Sequence, residues 1–174
     1  MKKILIICLI ICISMCCPSC RLEDSYKEFF VKGFDSTIDK ECFTSEKYNF
    51  ATINNVIIKP SVKEVVHGKY RVFISAYSKT GSEMVKIKKV IIKDEYAEVS
   101  TFDLDECITF KNDSDEIHKG NISVEFTEEE MEIFNDKKFS IVVLTELSSE
   151  DGFYSKEITF EISVTIYQSF VFPT

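Results

Sequence analysis

The side chains able to do chemistry in this chain are few and scattered. Cys17-Pro18-Ser19-Cys20 has the C-x-x-C spacing of a dithiol redox pair. Such a pair needs a strand before it and a helix N-terminus to lower the thiol pKa. Here an apolar run precedes the cysteines and Arg21-Leu22-Glu23-Asp24 follows, with no βαβ pattern downstream. Processing or acylation accounts for them better than redox work. His67 and His118 are the only histidines, 51 positions apart, each close to a glycine in an expected loop. A zinc site or a catalytic triad needs histidine near cysteine, carboxylate or serine partners, and nothing local supplies them. Both histidines read as solvated turn residues. G-x-S-x-G, a phosphate-cradling glycine loop and H-E-x-x-H are all absent. No catalytic residue, metal site or cofactor is expected, and the chain does not read as an enzyme.

Two acidic patches have the alternation a calcium loop uses: Asp103, Asp105 and Glu106, then Asp113, Asp115 and Glu116. Neither continues as an EF-hand loop, which requires a glycine and a distal glutamate. Solvated loops that keep strand edges from pairing are the simpler reading. Cys42 and Cys107 are the only cysteines in the body of the chain. In an exported protein they are a possible disulfide, worth about 4 kcal/mol by chain entropy. Two separate buried thiols are the other reading.

The opening residues, MKKILIICLIICISMCCPSC, hold the strongest signal. Lys2 and Lys3 precede a 12-residue apolar run, Ile4–Met15, interrupted only by Ser14. A membrane-spanning helix needs about 20 apolar residues, so this is the layout of a cleaved signal peptide. The cysteines behind it resemble a lipobox, the signal of bacterial lipoproteins, in which one cysteine is acylated and becomes the mature N-terminus. Cys17, preceded by small Cys16, or Cys20, preceded by Ser19, fits that role better than Cys16, which follows bulky Met15. The resemblance implies a bacterial cell-envelope protein, held to a membrane by lipid and either periplasmic or surface-exposed.

Cleavage leaves roughly 155 residues, one domain that buries about 70% of its unfolded surface. The formal charge of −8 becomes −10 once Lys2 and Lys3 leave with residues 1–19, setting 19 basic against 29 acidic residues. An acidic surface repels nucleic acid and anionic headgroups, so no nucleic-acid partner is expected, and membrane contact falls to the lipid.

The body that must carry these groups is β-structured. Ile158, Phe160, Ile162, Val164 and Ile166 alternate with Thr159, Glu161, Ser163 and Thr165, which describes a strand with one face in a core. Tyr70–Ala76, Ile122–Phe126 and Phe139–Thr145 repeat the pattern. Val85 and Ile87 lie in one phase, Val90 and Ile92 in the other, as an extra bulged residue at Lys88–Lys89 would produce. Gly68, Gly81, Gly120 and Gly152 separate the runs as turn residues. Thr127-Glu128-Glu129-Glu130 is a capping box that predicts one short helix near 128–135. Residues 20–47 read as a spacer and irregular lead-in, and residues 48–174 as an all-β antiparallel β-sandwich. In strand rhythm the body resembles immunoglobulin-like sandwiches, although it has no tryptophan and so no Cys…Trp…Cys signature.

Place and fold type together imply a non-catalytic binding, adhesion or assembly module, with a protein partner at a sheet edge as one mode. Two alternatives stand beside it: a subunit of an envelope complex that uses its aromatic terminal strand as an edge, and a small β-barrel for an apolar ligand.

Overall fold

The computed structural model describes residues 22–34, 37–66, 69–94, 98–114, 117–127 and 138–170. The signal segment and the expected helix near 128–135 lie outside them. The described strands are β1 (Leu22–Val31), β2 (Thr52–Ile53), β3 (Val56–Val66), β4 (Lys69–Ser78), β5 (Met84–Lys93), β6 (Glu98–Ile108), β7 (Lys111–Ser114), β8 (Ile117–Thr127), β9 (Lys138–Ser149) and β10 (Gly152–Phe170). They form two five-stranded antiparallel sheets, ordered β1-β10-β9-β5-β6 and β2-β3-β4-β8-β7. The chain divides into two compact units, Met1–Lys27 with Ile166–Thr174, and Glu28–Thr165. Of the first, the described residues belong to the start of β1 and the end of β10, where Ile166 and Tyr167 are exposed. The second holds the sandwich.

Alternation fills the sandwich from both sides. One sheet supplies Val85, Ile87, Val90, Ile92, Ile141, Val143, Ile158, Phe160 and Ile162; the other supplies Ile58, Tyr70, Val72, Ile74, Val124 and Phe126. These side chains form one packed core between the two sheets among the described residues. β5 keeps both of its apolar pairs inward by the expected bulge. Ile87 faces Thr145 and Lys89 faces Leu144, so two steps along β5 match one along β9. On its other side β6 carries an irregularity at the same place, since Ile87 faces Glu106 and Lys89 faces Asp103.

The stretch expected as spacer and lead-in holds a ten-residue strand, β1, followed by 3₁₀ turns at Lys40–Thr44 and Glu46–Ala51. Phe29, Val31 and Phe34 pack on the main core. The turns bring Ile38, Cys42 and Tyr48 against Ile57, Tyr77 and Ile117 in a second apolar cluster. Ile57 and Tyr77 face each other across β3 and β4, so the turns cover the outer face of that sheet. Lys156 on β10 ties the two layers: its ammonium donates to Thr52 O at 2.8 Å and Asn49 O at 3.1 Å. Burial pushes its pKa below the ordinary 10.5.

Two positions test this packing. A Cβ at Gly120 would stand 2.3 Å from Ile108 Cγ2 and 2.5 Å from Thr109 O, where the chain crosses from β6 to β7. Gly120→Ala is expected to cost about 1–3 kcal/mol through overpacking, read as a lower urea midpoint with unchanged slope. Thr145 faces the core, and its buried Oγ1 has no hydrogen-bond partner among the described residues. Thr145→Val removes that unpaired hydroxyl at nearly constant shape, and a stabilisation of about 1 kcal/mol is expected. An unchanged or lower midpoint would mean that the hydroxyl is satisfied.

Candidate functional site

Most groups singled out in the sequence do not converge. Cys16, Cys17, Cys20 and His67 lie outside the described residues. Cys42 is buried, Cys107 is exposed on β6, and both are free thiols, so the disulfide left open by the sequence is not formed here. Cys42 instead closes a capping arrangement with Asp39, whose Oδ1 accepts from Cys42 Sγ at 3.2 Å and Cys42 N at 3.1 Å. Those donors, the thiol first, hold the Asp39 carboxyl below the ordinary 3.8.

His118 is not a solvated turn residue. It lies half-buried on β8, opposite Ser78 of β4 and Asn112 of β7. Its ring leaves no room beyond a hydrogen at Gly81, where a Cβ would come within 2.6 Å, and Gly81 itself has φ +68°. Beside it is a feature that sequence reading missed, the buried Glu83. Its carboxylate accepts from the Ser78 hydroxyl and, at 2.9 Å, from Thr80 Oγ1. Ser78 Oγ in turn accepts from Thr80 N at 3.0 Å and Gly81 N at 2.8 Å. The set fixes the connection by which the chain changes sheets. Ser78-Lys79-Thr80-Gly81-Ser82-Glu83 is a visible turn signal, but not one that announces a buried carboxylate.

The first acidic patch lies on a strand, not in a loop. Asp105 has φ +57° within the β6 irregularity and pairs with Lys88 and, at 2.9 Å, with Lys86; Asp103 pairs with Lys89 at 3.0 Å. Hydrogen bonds from Lys88 and then Lys86 hold Asp105 below the ordinary 3.8, and Asp105 raises Lys88. In the second patch Asp113 is on β7, while Asp115 and Glu116 lie outside the described residues. Among the described residues no group of three or more His, Cys, Asp or Glu could hold a metal ion. In the sheet order β10 stands between β1 and β9, and its pairing with β9 runs from Gly152 to Ser163.

Polar side chains also converge in a groove of about 620 Å³ on the β1-β10-β9-β5-β6 sheet, lined by Lys32, Asp94, Lys138, Phe139, Ser140, Glu161, Ile162 and Ser163. Strand register builds it. Ser140 faces Glu161 on β10 and Lys93 on β5, and Ser163 faces Lys138. Directly opposed residues share a face. Phe139 and Ile162 alternate inward, which turns Ser140, Glu161 and Ser163 outward. Two serines among long neighbours leave the hollow. Lys32 joins from the end of β1, its N–H bonded to Glu161 O at 2.9 Å and its ammonium to Glu161 Oε2 at 2.6 Å. Lys32, with a smaller contribution from Lys138, holds Glu161 below the ordinary 4.5.

These carboxylates contribute to the acid dependence of the fold. Asp39, Asp105 and Glu161 are depressed in the folded protein, so the unfolded chain binds more protons and the stability they add is full above their ordinary pKa values. It is lost as pH falls through the ordinary values toward the lower folded ones. Urea midpoints are expected to be flat from about pH 7 to 5 and to fall below about pH 4. Glu161→Gln should fall less steeply; an equal slope would remove Glu161 from the account.

No protein-family model matches the chain, and no curated protein is detectably similar to it. A crystal structure of a protein from Archaeoglobus fulgidus aligns with 66% of this chain and 97% of its own, at 13% identity and a TM-score of 0.39.

Proposed function

We propose that this chain is an exported bacterial lipoprotein, acylated on Cys17 or Cys20, whose β-sandwich is a non-catalytic binding or assembly module at a membrane of the cell envelope. The observation that carries the reading is the opening sequence: Lys2-Lys3, the apolar run Ile4–Met15, and Cys16, Cys17 and Cys20 within the next five positions. β1 begins at Leu22, five residues after Cys17 and two after Cys20. At about 3.5 Å per extended residue, the acylated cysteine stands within about 18 Å of the first strand residue. A lipid there holds the domain close to the bilayer with little tether. The polar groove supports a binding role, since six polar side chains meet in it.

Kinship with immunoglobulin-like sandwiches belongs to the same reading. Two antiparallel sheets joined by inter-sheet crossovers support it, although ten described strands exceed the seven or nine of antibody domains. A protein partner at a sheet edge is the second reading. β7 pairs with β8 only over Ile117–Lys119. On that side, Asn121–Glu125 has no hydrogen-bonded strand beside it among the described residues, which suits strand addition.

Metabolic labelling with an alkyne fatty acid, followed by mass spectrometry of the mature N-terminal peptide, tests the anchor. Label on Cys17 or Cys20 with the upstream residues gone is expected. A cleaved but unlabelled N-terminus would make the domain a freely diffusing exported protein, and an intact Met1 would overturn export.

A further inference from the structure

The groove has a charge balance that selects among ligand classes. Lys32 and Lys138 oppose Asp94 and Glu161, so its lining carries no net charge. An anionic ligand meets two carboxylates and a cationic one meets two ammonium groups, each desolvated against a like charge. A zwitterion that engaged Lys32 and Glu161 would have to part them, and they already sit 2.6 Å apart. An apolar ligand finds little to cover, because the only apolar lining residues, Phe139 and Ile162, are 3% and 1% exposed.

A hydroxyl group meets none of these penalties, because it donates to a carboxylate and accepts from an ammonium at once. The Lys32–Glu161 pair therefore presents a donor and an acceptor side by side to a neutral ligand without having to break. Ser140 and Ser163 add two more groups of the same dual kind. We infer that the groove binds a neutral, polyhydroxylated ligand, a saccharide of one or two rings. Its volume of about 620 Å³ lies within the ordinary range of small-ligand sites. The inference rests on the reading of the groove as a binding site and is independent of lipid anchoring.

The test is a ¹H–¹⁵N NMR titration of the full chain in a polyoxyethylene detergent, which itself presents no sugar. Glucose, galactose, mannose, N-acetylglucosamine and their disaccharides are the neutral probes; inorganic phosphate and phosphoethanolamine are the charged ones. Saturable shifts of the Lys138, Ser140 and Ser163 amides with a neutral sugar are expected. Ser140→Phe and Ser163→Phe each put a ring into the hollow from the outer face of a strand that tolerates aromatics. Each is expected to weaken that binding by about tenfold or more while the remaining spectrum is kept. Response of the same amides to the charged probes alone would overturn the saccharide assignment and leave a binding groove standing. Silence of these amides with every probe would overturn the groove itself. Sugar shifts elsewhere, or shifts unaltered in both phenylalanine variants that remain folded, would overturn the assignment of the site.

Discussion

One extra residue in β5 sets the geometry on which its sheet depends. Val85 and Ile87 must face the core, and so must Val90 and Ile92, yet only two residues separate Ile87 from Val90. A regular strand would turn one pair to water, at a cost of about 1.5–3 kcal/mol for each buried aliphatic side chain exposed. The bulge absorbs the mismatch, and it disturbs both neighbours. β9 loses one step and β6 gains one, so Asp105 takes a left-handed conformation that non-glycine residues seldom adopt. Its carboxylate then stands where Lys86 and Lys88, which flank Ile87, both reach it. The apolar pattern forces the bulge; the ion pairs follow from it.

The same register carries the groove. With β5 in phase along its length, Lys93, Ser140 and Glu161 form one row across three strands on the outer face. Their inward neighbours Ile92, Ile141 and Phe160 lock that row from below. The short serines and the longer Lys32 and Lys138 line the hollow together. A site on the rigid face of a sheet holds its geometry better than one on loops. The opposite layer is held by other means: Lys156 caps the carbonyls at the end of the second 3₁₀ turn, and Phe34 lies against Tyr48, Phe50 and Phe160 at 5.3–6.1 Å. The irregular segment is thus fastened to both sheets.

Much of the sandwich was legible in the sequence, because alternation is a local signal. Ile158, Phe160, Ile162 and Val164 are buried as their spacing required, and the phase change in β5 marked its bulge. Ile166 follows the same alternation yet is 41% exposed. β1 was missed for the opposite reason. Lys27 and Phe29 are half-buried while Phe30 is 49% exposed, so the side chains of this edge strand do not sort by polarity. The groove could not be read at all. Ser140 and Ser163 are 23 positions apart, and Lys32 precedes both by more than a hundred. Only the pairing register brings them together, and nothing in a serine's local context tells whether a lysine will stand opposite. His118 misled similarly: a histidine close to a glycine has a loop signature, but Gly120 is there because Ile108 and Thr109 press on it.

Charge completes the argument. The protein carries 29 acidic residues, and on the sheet that bears the groove four lysines are paired: Lys32 with Glu161, Lys86 and Lys88 with Asp105, and Lys89 with Asp103. Such exposed pairs add little stability, with a median of about 0–1 kcal/mol. Their larger effect is local neutrality. An otherwise acidic surface repels anions and gathers cations. A sheet face whose charges are already paired does neither, and it offers hydrogen-bond donors and acceptors held in place by their own partners. Neutral polar ligands are the class for which such a face gives directional contacts without the desolvation of an unpaired charge.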